Sequence, residues 1–216
     1  MDGRIRARVE GPDYIVQSTP ATSTLLTVRG ETVFETARLR VRTAREADAG
    51  LYLRIWTDPR IMRFVGFPRG LKITLDEIRD QIRRAGDSEF DCRLVVLLKE
   101  SGEPIGEARL HRPDGKRVAK TDVKLLPGAW GHRYGTEVKA GLVQYLFEHT
   151  DCRAVEGTPN RENIASIRMQ EAAGGVRVGD GVFEFPEELR DWTCPVPHFV
   201  YHVRRADWRR RFRGPE

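Results

Sequence analysis

One stretch of the sequence decides the fold: Trp130-Gly131-His132-Arg133-Tyr134-Gly135-Thr136. It follows a run with strand propensity, Val118–Leu126, and precedes apolar residues at helical spacing from Val138 to Leu146. A tight turn that leads from a strand into a helix leaves backbone N–H groups unpaired at the helix N-terminus, which suits a doubly charged pyrophosphate. Gly131 and Gly135 lack a Cβ and let phosphate oxygens approach the main chain closely. Taken alone, such a turn is also compatible with an ordinary loop.

The residues before this turn predict two helices and three strands. The first helix buries Ala47, Leu51 and Ile55 and ends before the Asp58-Pro59 pair. The second begins at Thr74, an N-cap with Glu77 three positions on as its capping-box partner. The strands form an antiparallel meander, because hairpin-type turns separate the three runs Cys92–Leu98, Pro104–Leu110 and Val118–Leu126.

After the turn, the sequence predicts one more helix and further strands. A strand-like run, Ala154–Thr158, comes before a helix from about 162 to 173. Two further strand-like runs follow it, Val176–Phe185 and Phe199–Arg204. The fold class is therefore α/β (α+β), with a mixed, mostly antiparallel central sheet flanked by helices. We expect one domain at residues 34–208. A lead-in at residues 1–33, with one strand at Thr24–Val28, precedes it, and a basic tail at residues 209–216 follows it.

Composition narrows the class of protein. No apolar run approaches the roughly 20 residues of a membrane-spanning helix, which predicts a soluble cytoplasmic protein with no membrane partner. The three cysteines are far apart and form no CxxC pair, so neither a disulfide framework nor a metal site is indicated. Six arginines between Arg204 and Arg213 account for most of the net charge of +5, so a basic tail explains it better than a nucleic-acid-binding face. The sequence leaves open whether the protein forms a homodimer.

The layout resembles the GNAT superfamily of N-acetyltransferases, and within it the branch of the ribosomal-protein N-terminal acetyltransferases. The resemblance covers roughly residues 36 to 208 and depends on five ordered landmarks, Thr36–Arg42, Asp58–Gly66, Pro104–Glu107, Trp130–Glu137 and Asn160–Arg168. It implies two strands that splay apart after the meander, acetyl-CoA as the cofactor, and direct attack by an amine in a ternary complex. The acceptor would be the primary amine of a small molecule or of a peptide N-terminus.

The resemblance also implies roles for individual residues. The pyrophosphate would bind the turn formed by Trp130, Gly131, His132, Arg133, Tyr134, Gly135 and Thr136. The pantetheine arm would pair with the backbone of Val123, Lys124, Leu125 and Leu126. Asn163 would hydrogen-bond this arm, with helix capping as the alternative role, and Ser166 would lie near the sulfur. Arg133 stands where the family has a glycine, and we expect its side chain to point outward and contact a phosphate rather than narrow the turn.

Two positions depart from the family's catalytic pattern. Lys120 stands where relatives often have a general-base glutamate, so Asp122, two residues on and on the same face of the strand, is the candidate base. A surface aspartate without a catalytic role is the alternative. Gln170 stands where other relatives have a tyrosine that acts as the general acid. Ser166 therefore becomes the candidate hydrogen-bond donor to the sulfur. These departures leave open a protein that binds acyl-CoA without turnover, or a GNAT-like protein associated with the ribosome or a nucleic acid.

The acceptor itself is not defined by the sequence. In the family, the early helices and two loops, here 64–74 and 185–197, shape its cleft. Arg63, Arg69 and Lys72 near the first loop would attract an anion, whereas the carboxylates of the second, Glu187 and Asp191 among them, would attract a polycationic amine.

Overall fold

The computed structural model describes residues 29–85 and 90–212, so the strand predicted at Thr24–Val28 lies outside the described residues. These residues form one eight-stranded sheet in the order β1-β2-β3-β4-β5-β6-β8-β7. The strands are Thr32–Glu35 (β1), Leu39–Thr43 (β2), Leu94–Leu98 (β3), Pro104–Leu110 (β4), Val118–Leu125 (β5), Ala154–Gly157 (β6), Val176–Phe183 (β7) and Val196–Arg204 (β8). The helices are Ala49–Trp56 (α1), Pro59–Met62 (α2), Leu75–Arg84 (α3), Tyr134–His149 (α4), Ile164–Ala172 (α5) and Arg205–Phe212 (α6).

The sheet consists of two antiparallel parts joined by a parallel pair. Strands β1 to β5 form a continuous antiparallel meander, and β6, β8 and β7 pair antiparallel in turn. Strands β5 and β6 run parallel, with α4 as the crossover between them. This confirms the predicted mixed, mostly antiparallel sheet flanked by helices.

Each face of the meander carries its own apolar core. One core packs α4 on the sheet and includes Val138, Leu142 and Leu146, the apolar residues at helical spacing noted in the sequence. The other packs α1 and α3 on the opposite face through residues such as Ile55 and Ile78. The sheet therefore separates the helix that follows the turn from the two early helices.

Local sequence signals placed most elements correctly, with one error on the first helix. Thr74 and Glu77 form the predicted reciprocal capping box of α3. Ala47, which was expected on the buried side of α1, is exposed, because it lies in a 3₁₀ turn that precedes the start of α1 at Ala49. Tyr52 is fully buried instead. Residues 209–212 of the predicted basic tail belong to α6, whereas 213–216 lie outside the described residues.

No helix in the described ranges combines the length and apolar character that crossing a membrane requires.

Candidate active site

The turn before α4 presents a row of free backbone donors. Among the described residues, the hydrogen bonds include none donated by the amides of the six consecutive residues from Gly131 to Thr136. These amides surround the N-terminus of a 16-residue helix, where the helix dipole favours an anion. Gly135 also lies against α5, because an added Cβ would come within 3.3 Å of Met169 Sδ.

Arg133 has a backbone conformation that favours glycine. It is the N-cap residue of α4 and has left-handed backbone dihedral angles of φ 63° and ψ 14°. Glycine adopts this conformation without a steric penalty, whereas other residues do so at some cost. Arg133 is exposed, and its expected contact with a phosphate stays a prediction.

The turn is fastened to the start of β2 by an ion pair that sequence reasoning missed. Arg38 Nη2 lies 2.7 Å from Glu137 Oε2 and also donates to the His132 carbonyl at 3.1 Å. Thr36 Oγ1 donates to Glu137 Oε1 at 2.6 Å. Burial raises the pKa of Glu137, but the hydrogen bonds from Thr36 and Arg38 outweigh it and lower that pKa. The first landmark, Thr36–Arg42, thus positions the turn at Trp130–Thr136, where the phosphates are predicted to bind.

Strands β5 and β6 separate beside this turn. Their pairing is limited to three registers, the last being Lys120 with Glu156. Beyond that pair, residues from Thr121 onward lie next to an open wedge between the two strands, which is the splay implied by the resemblance. We call the point of separation, at Thr121 and Gly157, the apex.

Only alternate residues of β5 direct their backbone into this wedge. The Leu126 amide donates to Ile105 of β4 at 2.9 Å, so even-numbered residues including Lys124 are directed toward β4. The amides of Val123 and Leu125 therefore point into the wedge. Of the four residues predicted to pair with the pantetheine arm, these two direct their backbone groups into the wedge, and the pairing itself stays a prediction.

Trp130 closes the outer end of the wedge. Its indole Nε1 donates to the Leu125 carbonyl at 2.8 Å, and the residue is 45% exposed. One wedge-facing carbonyl is thus already occupied, which leaves the Leu125 amide and both backbone groups of Val123.

The candidate base Asp122 belongs to a polar chain on the α1 side of the sheet. The Lys124 ammonium binds Asp122 and lies 3.2 Å from Glu107 Oε1, which in turn accepts a 2.9 Å hydrogen bond from the Trp56 indole. Burial raises the pKa of Asp122, but the charge of Lys124 outweighs it and lowers the pKa overall. Because the Asp122 side chain is 45% exposed, its lysine partner rather than burial decides its charge. Asp122 is therefore ionised and reachable, although a lowered pKa makes a carboxylate a weaker base.

Lysine 139 lies on the other face of the sheet, at an apolar position of α4. It is 0% exposed, and its Nζ lies 2.6 Å from Thr121 Oγ1. Burial lowers the pKa of Lys139 to about 7, against the opposing effect of the Asp122 and Glu156 carboxylates. Sequence reasoning did not select this residue, although a lysine one position after buried Val138 and three before buried Leu142 was a visible signal.

The start of α5 carries the remaining predicted residues. Asn163 is the N-cap, and its Oδ1 accepts from the Ser166 amide at 3.1 Å, so its capping role is present. Within the described residues, no hydrogen bond is made by its side-chain amide nitrogen. Both Asn163 and Ser166 are half-buried, whereas Gln170 is buried.

The two predicted acceptor loops contact each other. The Cys194 amide donates to the Gly66 carbonyl at 2.9 Å, and the Arg69 guanidinium donates to the Asp191 carbonyl at 2.5 Å. Lys72 Nζ lies 3.9 Å from the centre of the Trp192 ring. Two cations of the first loop therefore join the loops into one wall through a backbone carbonyl and an aromatic ring, not through the carboxylates of the second loop.

Comparison with known proteins identifies the family. The family described as Acetyltransferase (GNAT) domain matches residues 38–176, well over half of the chain. The uncharacterized N-acetyltransferase p20 of Bacillus licheniformis is 24% identical over 143 residues, which make up 64% of this chain and 79% of that protein.

Two solved structures share the fold. Spermidine N-acetyltransferase from Vibrio cholerae, in complex with CoA and spermine, is similar with a TM-score of 0.65 and 17% identity over 80% of this chain and 99% of that chain. Aminoglycoside acetyltransferase AAC(6')-Ib, in complex with coenzyme A, is similar with a TM-score of 0.61 and 21% identity over 81% and 99%.

This chain belongs to the GNAT acetyltransferase family. It is an N-acetyltransferase, and the predicted enzyme class and the predicted cofactor, acetyl-CoA, are confirmed.

Proposed function

We propose that this protein transfers the acetyl group of acetyl-CoA to a primary amine of a small molecule or of a peptide N-terminus by direct attack in a ternary complex. The observation that carries this proposal is the row of unpaired amides from Gly131 to Thr136, next to a wedge whose wall offers the amides of Val123 and Leu125. The row suits the pyrophosphate, and the wedge suits an arm that carries amide groups of its own.

The residues divide into cofactor and catalytic groups. The Val123 amide, directed into the wedge, would donate to the thioester carbonyl oxygen as negative charge develops there. Asn163 would bind the pantetheine arm with its amide nitrogen, and Ser166 would lie near the sulfur. Asp122 would attract the acceptor's ammonium and accept its proton, since its carboxylate is ionised and reachable from the α1 side.

Three observations bear on the chemical class of the acceptor. The polyamine and aminoglycoside enzymes with similar folds suggest a polycationic small molecule, and the acidic residues near Glu187 and Asp191 fit such a substrate. The resemblance to the ribosomal-protein branch suggests a peptide N-terminus instead. A thiol-release assay with spermine, an aminoglycoside and peptides that begin as ribosomal proteins do would separate these classes.

Binding and turnover are tested separately. Calorimetry with acetyl-CoA is expected to show one site per chain, and the absence of any heat or thermal shift would exclude the proposal. With an acceptor found, Asp122→Asn is expected to lower kcat/KM about 100-fold, since an amide cannot accept the proton. Asp76→Asn, on exposed α3, is the matched control and is expected to behave like the wild type.

A second function, acyl-CoA binding without turnover, is favoured by two observations. The ion pair with Lys124 lowers the pKa of Asp122, which reduces its strength as a base. The second is that the side-chain amide of Gln170 is far too weak an acid to protonate the leaving thiolate. Tight acetyl-CoA binding combined with no thiol release across the three acceptor classes would support this function over catalysis.

A further inference from the structure

A buried lysine lies beside the point where β5 and β6 separate. The paired part of the two strands ends at Lys120 and Glu156, so Thr121 is the first residue of β5 beyond the pairing. Lys139 Nζ lies 2.6 Å from the Thr121 hydroxyl, and this is its one hydrogen bond within the described chain. The same residues offer Lys139 no salt bridge, in contrast to Lys124 on the opposite face.

The facing side of the apex carries a polar group without a partner. An added Cβ at Gly157, the residue of β6 opposite Thr121, would lie 2.4 Å from Gln170 Oε1, so the Gln170 side chain covers the apex directly. Gln170 is 4% exposed, and Oε1 is the buried side-chain atom that lacks a hydrogen-bond partner among the described residues. Lys139 and Gln170 thus approach the apex from α4 and α5 on one face of the sheet.

The direction of the cofactor follows from the proposed function, on which this inference rests. The phosphate turn comes after the C-terminal end of β5, so a pantetheine arm bound to Leu125 and Val123 runs back along the strand toward Thr121. The sulfur is at the far end of that arm from the phosphates. It therefore comes nearest to the apex, where Lys139 lies behind the Thr121 hydroxyl.

We propose that Lys139, acting through the Thr121 hydroxyl, is a positioning residue that balances the charge of the sulfur when CoA leaves as a thiolate. In the reaction, the acceptor nitrogen forms a bond to the acetyl carbon, the carbon–sulfur bond breaks, and the sulfur keeps the electron pair. Asp122 takes the first proton from the acceptor's ammonium before attack, and the second proton, which the nitrogen loses as the new bond forms, passes through the Thr121 hydroxyl to the Lys139 amine. The resulting ammonium stabilises the thiolate and then protonates it, which gives the amide, the CoA thiol and a neutral lysine.

The surroundings of Lys139 suit a group that changes charge during the reaction. Burial lowers the pKa of Lys139 to about 7, so both protonation states are accessible near neutral pH. The carboxylates of Asp122 on β5 and Glu156 on β6 favour the charged state, and they project from the opposite face of the sheet. Gln170 on α5 carries no charge. A new negative charge on the sulfur would favour protonation of the amine further.

Binding of CoA and of desulfo-CoA, in which hydrogen replaces the thiol, tests this role without turnover. At pH 8 the wild type is expected to bind CoA about tenfold more tightly than desulfo-CoA, because the thiol proton moves to Lys139 and leaves a charge-assisted pair. In Lys139→Met the preference should fall to about twofold or less, while acetyl-CoA, which has no thiol, keeps its affinity. Thr121→Val should lose the preference in the same way.

The possible outcomes separate this inference from the proposed function. Lys116→Met, on the exposed turn before β5, is the matched control and should keep the tenfold preference. A preference that survives unchanged in Lys139→Met, or a wild type that binds the two ligands equally, would overturn the role of Lys139 and leave the acetyltransferase proposal intact. A wild type that binds neither ligand would overturn both. With an acceptor available, the kcat of the wild type should rise as the pH increases through 7, because Lys139 must be neutral to accept a proton. This rise should disappear in Lys139→Met, which a merely structural role would not cause.

Discussion

Arg133 combines a backbone suited to glycine with a side chain suited to a phosphate. Its φ of 63° lies in the left-handed region, which a residue other than glycine occupies at a cost of roughly 1 kcal/mol. A basic group next to a pyrophosphate offsets that cost when the cofactor is bound. If Arg133 contacts the pyrophosphate as proposed, the residue exchanges some stability of the free protein for cofactor affinity.

Replacing Arg133 with glycine is expected to separate these two effects. Arg133→Gly should raise the free energy of unfolding by about 0.5 kcal/mol, since relief of the left-handed strain is partly cancelled by the greater entropy of unfolded glycine. The same change should weaken acetyl-CoA binding about fivefold and leave acetyl-pantetheine, which lacks the pyrophosphate, unaffected. Urea unfolding and calorimetry measure the two effects. Equal losses for both ligands would show that the side chain does not contact a phosphate.

Lys139 should make the stability of the protein depend on pH. Its pKa is about 7 in the folded state against an ordinary value of 10.5, so between these values the folded state holds fewer protons than the unfolded state. Stability attributable to this residue therefore rises as the pH increases from about 7 to about 10.5. Lys139→Met should be more stable than the wild type at pH 7, by on the order of 3 kcal/mol, and this advantage should shrink by pH 10. Urea unfolding measures this difference at each pH. A difference in unfolding free energy between the two proteins that stays constant from pH 7 to pH 10 would contradict the expectation.

At the scale of single elements, the wedge depends on β5 being paired on one side only. Beyond Lys120 the strand keeps its bonds to β4, while the amides of Val123 and Leu125 face the gap left by β6. A proline is tolerated in a strand where its missing N–H does not contribute to the ladder. Val123 is such a position.

Val123→Pro is therefore expected to reduce activity far more than stability. Loss of one donor to a developing oxyanion typically lowers kcat about 100-fold, and the melting temperature should fall by only a few degrees. Thiol release and thermal melting measure the two properties. Leu126→Pro, which removes an amide bonded to Ile105, is the matched variant and should destabilise the fold strongly. Unchanged kcat in Val123→Pro would exclude this amide as the oxyanion donor.

The elements were predictable from sequence because each carries a local signal, whereas the contacts within the site were not. The alternation at Leu39 and Val41 and the capping box at Thr74 depend on neighbouring residues and were read correctly. The pairing of Arg38 with Glu137 spans 99 residues and has no local signature. Asp122 pairs with Lys124, which lies two positions on along the same strand and therefore on the same face. The sequence shows this spacing, but it does not show whether the two charged groups contact each other. Whether Asp122 acts as the base stays a prediction.

At the scale of the whole molecule, the end of the described chain is tied to the centre of the fold by one arginine. Arg205, the first residue of α6, donates to the carbonyls of Phe147, Thr150 and Cys152 at 2.5, 2.7 and 2.6 Å. These carbonyls lie at or just beyond the C-terminus of α4, where a cation is favoured by the helix dipole. The arginine-rich run therefore contains a residue with a structural role, in addition to those that are exposed.

This difference within the arginine run leads to opposite expectations for two variants. Arg205→Met should destabilise the protein by about 2 to 3 kcal/mol, because it leaves three carbonyls without their charged donor.

Removal of residues 209–216 spares Arg205 and Trp208, whose ring packs on Phe147 at 5.3 Å, and should leave stability and acetyl-CoA binding close to those of the wild type. Thermal melting and calorimetry measure both properties. Retention on an immobilised polynucleotide should be weak for the truncated chain, because the rest of the chain is close to electrical neutrality, and the full chain should be retained no more strongly if α6 binds no nucleic acid. Strong retention that is lost with residues 209–216 would instead support a nucleic-acid or ribosome partner for α6.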